Sequence, residues 1–405
     1  MKIQSAKPYI PKEDIKDILN DFANTLSSGI LTKGPYVKKF EDLFAKYIGV
    51  KNAIAVNSGT CSLEIPLRYF NVKDKEVIVP TNTFIATSNA VIFAGGKPIL
   101  ADIKPDTLCI DPDDVLKKIT TKTRGIIVVH IAGLVCPQMN ELQDICKKYG
   151  LFLIEDAAHA HGATIDGKKA GSLSNAASFS FFATKIMTTA EGGMITTNDD
   201  KLAEIARSMR HHGIGNEQNI LIRLGYNWRM DELSAILGIH QLKRLYQNII
   251  MRNKIAEKYN KMLAKTNGLS CFKTYPNIKH SYYKYPVLLD EGIDRIKLTS
   301  SMKENHNISL GTIYYPPCHL QPFYKDIFGF EEGALPVSER ILNRTVALPM
   351  FAQMKDREIE YVVKALKQEI SSSKNYGDNL NEKIKCISSI SRTPHKAEFA
   401  QVPEK

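Results

Sequence analysis

The stretch GIIVVHIAGLVCPQMNELQDICKKYGLFLIEDAAHAHGA, residues 125–163, decides the fold. It holds two short apolar runs, GIIVVH (125–130) and LFLIE (151–155), separated by a helix-length segment. Such runs read as strands buried on both faces, and a helix between two of them lets them lie parallel. Similar runs recur upstream in AIAV (53–56), EVIV (76–79) and KPILA (97–101), and downstream in AASFSFF (176–182) and GMITT (193–197). Strands alternating with helices predict an α/β fold with a three-layer, mostly parallel sheet. In such sheets, sites lie in the crevice beyond the carboxyl ends of the strands.

Toward the N-terminus, Ile15, Ile18, Leu19, Phe22 and Leu26 recur at helical spacing, as do Val37, Phe40, Leu43, Phe44 and Tyr47, so two amphipathic helices open the chain. Toward the C-terminus, Asp231 is placed to cap a long helix, LSAILGIHQLKRLYQNII, that leaves the large domain. The pattern then becomes mixed, with strand-like YYKYPVLL (282–289) and ISLGTIYY (308–315) and a last amphipathic helix near 356–370. Single cores stop growing near ~250 to 300 residues, so 405 residues predict two domains. We place a large catalytic domain at 1–248, a smaller α+β domain at 249–370, and a tail of unassigned role at 371–405.

Hydrophobic residues at 43% and charged residues at 24% are those of an ordinary globular protein, which excludes disordered and collagen-like classes. The net charge of +11 is scattered rather than clustered, and no nucleic-acid-binding motif accompanies it, so a phosphorylated small molecule fits the excess at least as well as a nucleic acid. Seven cysteines without a CxxC pair argue against a disulfide framework and a zinc site, and point to a reducing cytoplasm. The N-terminus lacks the apolar stretch of a signal peptide, and no segment has the ~18 uninterrupted apolar residues of a membrane span.

Five places could carry chemistry. In SFSFFATKIMTTAEGGM, Lys185 follows a strand, in reach of a site at the strand ends. Schiff-base catalysis needs a lysine whose pKa, normally ~10.4, is lowered, and Phe181, Phe182, Ile186 and Met187 offer the apolar setting. A lysine taken blindly is a solvated loop residue, so the neighbours must decide. LIEDAAHAHGA delivers Asp156 at a strand end and His159 three residues on; a carboxylate there holds a pyridinium nitrogen protonated, and on this motif alone a helix cap is the blander role for Asp156. In AIAVNSGTCSL, Ser58, Gly59 and Thr60 join a strand to a helix whose free amides bind phosphate, although such turns also occur without a ligand. Pro66 should kink or shorten that helix. Phe84 in VPTNTFIAT is placed either to stack on a flat ring or to join the core, and Asn227 and Trp228 precede the long helix. A phosphate turn, a stacking ring, a strand-end aspartate and a loop lysine, in that chain order, are the parts of a pyridoxal-phosphate site.

With these motifs the chain resembles the sugar aminotransferases of the DegT/StrS group, fold-type I pyridoxal-phosphate enzymes that are typically homodimers. The likeness spans about residues 8–370 and rests on GILTKGPYVKKFE, NSGT, PTNTFIAT, EDAAHAHGA, SFSFFATK, EGGM, GYNWRM and YYPPCHLQPFY. It implies that Lys185 carries the cofactor as a Schiff base and shuttles a proton between cofactor and substrate carbons. Asp156 would pair with the pyridine nitrogen, His159 would contact the ring hydroxyl, and Phe84 would stack on the ring. Ser58, Gly59, Thr60 and Ser180 would hold the phosphate, and Asn227 would reach the phosphate of the neighbouring subunit. Tyr314, Tyr315 and His319 would lie near the sugar. An amino acid, with glutamate as the favoured donor, would leave its amine on the cofactor, and a keto sugar, nucleotide-linked in the favoured case, would take it for surface-polysaccharide or amino-sugar synthesis. Dehydratases of the group replace the lysine with histidine, so Lys185 favours amine transfer; retention of Lys185, Asp156 and the phosphate turn also speaks against a catalytically silent regulator.

Overall fold

The computed structural model describes residues 1–215, 217 and 220–372, so the expected tail lies outside the described residues from 373 onward. Helices α1 (Lys12–Ser28) and α2 (Pro35–Ile48) open the chain, followed by β1 (Asn52–Val56), α3 (Gly59–Tyr69), β2 (Glu76–Pro80), α4 (Ile85–Phe93), β3 (Lys97–Ala101), β4 (Thr123–Val129), β5 (Phe152–Asp156), β6 (Ala176–Ser180) and β7 (Gly193–Thr197). They form a seven-stranded sheet in the order β1-β7-β6-β5-β4-β2-β3. Strands β3, β2, β4, β5 and β6 run parallel, whereas β7 is antiparallel to both β6 and β1.

The central strands read as continuous apolar runs because both faces are covered. Ile78, Ile126 and Val128 pack into one core, while their neighbours Val77, Val79 and Ile127 pack into another on the opposite face. Helix α3 continues through Pro66 to Tyr69, so the proline does not end it.

The long helix α5 (Glu232–Leu263) begins as expected at Asp231, whose carboxylate accepts from the Ser234 amide at 2.7 Å. Its first half places Ala235, Ile239, Leu245 and Ile249 in the core under the large sheet, and its second half places Ile255, Ala256, Tyr259 and Leu263 in a separate core. That second core lies against a three-stranded antiparallel sheet of β8 (Leu269–Cys271), β9 (Tyr285–Leu289) and β10 (Thr345–Leu348), and residues 356–372 close it as a helix.

Three sequence expectations are corrected. ISLGTIYY is not a strand: Ile308 and Gly311 make only isolated bridges, to Ile3 and Ala347, after which the chain leaves the sheet edge and Tyr314 turns at φ 41°. YYKYPVLL is extended only from Tyr285, because Tyr282 at φ 48° turns its ring onto His280. No helix follows Asp156: the segment folds as successive turns in which Ala157, Ala160 and Ala163 are fully buried. Gly162, at φ 71°, sits where a Cβ would come within 2.3 Å of Ile249, so packing overrides the helix propensity of the alanines.

Candidate active site

The carboxyl ends of β1, β4, β5 and β6 converge on a pocket of about 360 Å³. Nine of the candidate site residues line it: Ser58, Gly59, Thr60, Phe84, Asp156, His159, Ser180, Lys185 and Tyr314.

The Ser58–Thr60 turn caps α3. Ser58 Oγ accepts from the Cys61 amide at 3.3 Å, and Gly59 packs so closely on β6 that an added Cβ would stand 2.8 Å from Ser180 Cβ. The turn thus presents a helix N-terminus and two hydroxyls to one end of the pocket, the setting of a phosphate. Asp156 ends β5 almost fully buried. Its Oδ2 accepts from Thr87 Oγ1 at 2.7 Å and its Oδ1 from the Ala158 amide at 3.1 Å, bonds that hold the carboxylate in one orientation. The helix-capping role considered for it is replaced by this turn.

Lys185 is held by a loop whose amide donates to the Phe182 carbonyl at 2.9 Å, and its Nζ lies 4.9 Å from the centre of the Tyr283 ring. Burial pushes its pKa down from 10.5 to about 8, against the pull of Asp156 and with the help of a second lysine, Lys284. Phe84, at the start of α4, is 57% exposed and faces the opening beside Tyr314, with the two ring centres 6.0 Å apart.

His159 is buried, and burial together with Lys185 and Lys284 holds its pKa well below the ordinary value, so it is neutral. Its Nδ1 accepts from the Ala132 amide at 3.2 Å, which assigns the ring proton to Nε2. Nε2–H therefore donates to Tyr314 Oη, 2.7 Å away, and the Tyr314 proton is left to point at another acceptor. Thr184 and Tyr283, whose hydroxyls are 3.1 Å apart, and Lys284 complete this wall.

The remaining sequence candidates are not brought into this pocket. His319 is fully buried elsewhere, with Nδ1 2.8 Å from Thr81 Oγ1 and Nε2 2.9 Å from Glu339, a structural bracket that leaves neither nitrogen free. Tyr315 turns away from Tyr314 and lies under the Arg295 guanidinium, 4.5 Å from its ring centre. Asn227 is exposed next to Asn57, whose side chain donates to its carbonyl at 3.2 Å. Sequence reasoning missed Thr87, Tyr283 and Lys284. Thr87 lies in the PTNTFIAT motif one helical turn past Thr83, a readable spacing; Tyr283 and Lys284 lie in a segment that reads as an ordinary strand.

These residues fit pyridoxal phosphate: an amine of lowered pKa, a fixed carboxylate, a ring at the opening and a phosphate turn share one cleft of suitable size. No group of His, Cys, Asp and Glu that could hold a metal ion occurs among the described residues, and no described helix is long and apolar enough to cross a membrane.

Comparison with known proteins agrees. The sequence profile of the DegT/DnrJ/EryC1/StrS aminotransferase family matches residues 12–367. The spore coat polysaccharide biosynthesis protein SpsC of Bacillus subtilis is 35% identical, over 89% of this chain and 95% of its own. The GDP-perosamine synthase of Caulobacter vibrioides is 34% identical, over 91% of this chain and 98% of its own. Among solved structures, PseC of Helicobacter pylori, an aminotransferase involved in the biosynthesis of pseudoaminic acid, superposes with a TM-score of 0.86 at 28% identity, covering 92% of this chain and 100% of that one.

Proposed function

Because this chain belongs to the DegT/DnrJ/EryC1/StrS aminotransferase family, and is thus a pyridoxal-phosphate-dependent sugar aminotransferase, we propose that it moves an amine from an amino acid, glutamate first, onto a nucleotide-linked keto sugar destined for surface polysaccharide. The observation that carries the proposal is the meeting of Lys185, Asp156 and the Ser58–Thr60 turn in one pocket.

When bound, pyridoxal phosphate supplies an aldehyde and an electron-withdrawing ring. The protein supplies the rest. Lys185, neutral for a useful fraction of time at pH 7 to 8, would carry the cofactor on Nζ, and the same nitrogen, once free, would hold and return a proton. Asp156 offers a fixed negative charge to a ring nitrogen, and Ser58, Gly59, Thr60 and Ser180 hold the phosphate. Tyr314, its oxygen already occupied by His159 Nε2–H, turns its own proton toward an oxygen of whatever occupies the pocket.

The same reading makes the protein a cytoplasmic homodimer with shared sites. Along α1, Ile15, Leu19 and Leu26 are 43%, 58% and 61% exposed while Ile18 is buried, so part of the apolar stripe that predicted the helix faces outward. Leu221, Leu224 and Tyr226 are exposed beside Asn227. Open apolar surface of this kind fits a second copy, which would bring Asn227 to the partner's phosphate.

The test is direct. Borohydride reduction of cofactor-saturated protein should leave a mass adduct on Lys185, and the aminated cofactor form should return to the aldehyde form with a nucleotide-linked keto sugar from a panel. An adduct on another lysine, or no return with any sugar, overturns the proposal.

A further inference from the structure

Two lysines look into the pocket, and the chemistry proposed above uses one. Lys284 lies immediately before β9, and its Nζ is 5.9 Å from the centre of the same Tyr283 ring that Lys185 approaches, and 5.2 Å from that of Tyr314. Among the described residues its Nζ donates to one acceptor, the Thr312 carbonyl at 2.6 Å, and pairs with no carboxylate. An ammonium has three donors, so two remain for a ligand. Of the two carboxylates lining the pocket, Asp156 is committed to Thr87 and Ala158, and Glu191 is exposed. A partly buried cation without a counter-ion is costly to keep, and here burial already pushes its pKa down to about 8.

We infer that Lys284 is the residue that receives a carboxylate of the amino-acid donor. The inference rests on the aminotransferase reading and adds the anchor on the donor side. A carboxylate is favoured over a phosphate for two reasons. The phosphate seat of the pocket is the amide-rich start of α3 with Ser58, Thr60 and Ser180. Beside Lys284 lies a second cavity of about 200 Å³, which shares Thr184, Tyr283 and Lys284 with the main pocket and is lined on its other side by Ser5, Ala6 and Gly311. That volume is below the ~300 to 1,000 Å³ of complete ligand sites and suits the short acidic arm of an amino acid rather than a nucleotide.

The experiment uses cofactor-loaded full-length protein, the variants Lys284→Met and Lys284→Arg, and two readouts. Calorimetry follows binding of glutarate, a dicarboxylate without an amine. Rapid mixing follows loss of the visible cofactor band with L-glutamate and with propylamine, an amine without a carboxylate. In Lys284→Met, glutarate affinity and the ratio of L-glutamate to propylamine reactivity should each fall about 10- to 100-fold, the range of a charge-assisted hydrogen bond, with much of both retained in Lys284→Arg. Unchanged glutarate affinity, an equal loss toward propylamine, or a loss confined to nucleotide-linked sugars would each overturn the inference. A parent enzyme that reacts with no amino acid sinks the aminotransferase proposal instead, so the two failures are distinguishable.

Discussion

Covalent capture of pyridoxal phosphate by cofactor-free protein should be governed by the charge on Lys185. Burial pushes that amine from 10.5 to about 8, Asp156 pulls it back up and Lys284 pushes it further down. At pH 7 an amine titrating at about 8 is neutral about a tenth of the time, against roughly one part in three thousand at 10.5, so the site gains about 300-fold in reactive amine. The capture rate, followed by stopped-flow absorbance, should rise from pH 6.5 and level off above a midpoint near 8. His159 and His161 are held below this window by burial, and Tyr283 and Tyr314 are held above it, which leaves Lys284 as the other lysine titrating against the site. The signs of two substitutions follow. Asp156→Asn removes a charge that favours the ammonium form and should move the midpoint down; Lys284→Met removes one that disfavours it and should move the midpoint up. A parent midpoint near 10, or an Asp156→Asn midpoint above that of Lys284→Met, would refute this account of how the lysine is activated.

Gly59→Ala should raise the dissociation constant for pyridoxal phosphate about tenfold or more while the protein stays folded, because the added Cβ stands 2.8 Å from Ser180 Cβ and pushes the phosphate turn outward; fluorescence titration with circular dichroism checks both halves. Glu155 is fully buried and gathers His130 Nε2, the Gly171 and Leu173 amides and Ser174 Oγ at 2.9, 2.7, 2.8 and 3.0 Å, so Glu155→Ala should cost about 3 to 5 kcal/mol in denaturant unfolding, and a loss below about 1 kcal/mol would show the cluster to be dispensable. Mixing Asn227→Ala with Lys185→Ala, each inactive or weakened alone, should restore roughly a quarter of parental turnover if one site takes residues from two chains, whereas no recovery after verified subunit exchange would place Asn227 outside the partner's site.

How much could be read without coordinates follows from the range over which each signal acts. The strands from β1 to β7 were legible because burial on both faces leaves continuous runs such as Ile126 to Val129, whereas Asp156 and Lys185 stood out only through their order along the chain with the Ser58–Thr60 turn and Phe84. His319 misled because its motif is local while its partners, Thr81 and Glu339, are set by tertiary packing. The segment after Asp156 misled for the opposite reason: its alanines favour helix, and the space left by Ile249 does not. The α1 stripe gave the correct element but not its surroundings: Ile18 is buried while Ile15, Leu19 and Leu26 are exposed, since periodicity reports where apolar residues cluster and not what covers them.

The pocket takes residues from two parts of the chain, and the division is chemical. The cofactor-fitting groups of this pocket lie between Ser58 and Lys185, on turns at the ends of the large sheet, whereas Tyr283 and Lys284 lead into the central strand of the small sheet and Tyr314 follows the bridge from Gly311 to Ala347. Helix α5 joins the two cores as one rigid element, and Arg252, buried in its middle, donates through Nη1 to the carbonyls of Tyr282 at 3.0 Å and Met350 at 3.3 Å. The second wall is thereby registered against the first through backbone carbonyls, which do not depend on the identity of the side chains that face the pocket. Positions 283, 284 and 314 can then vary without loss of that registration, so the residues that distinguish one substrate from another are expected on the small-sheet wall.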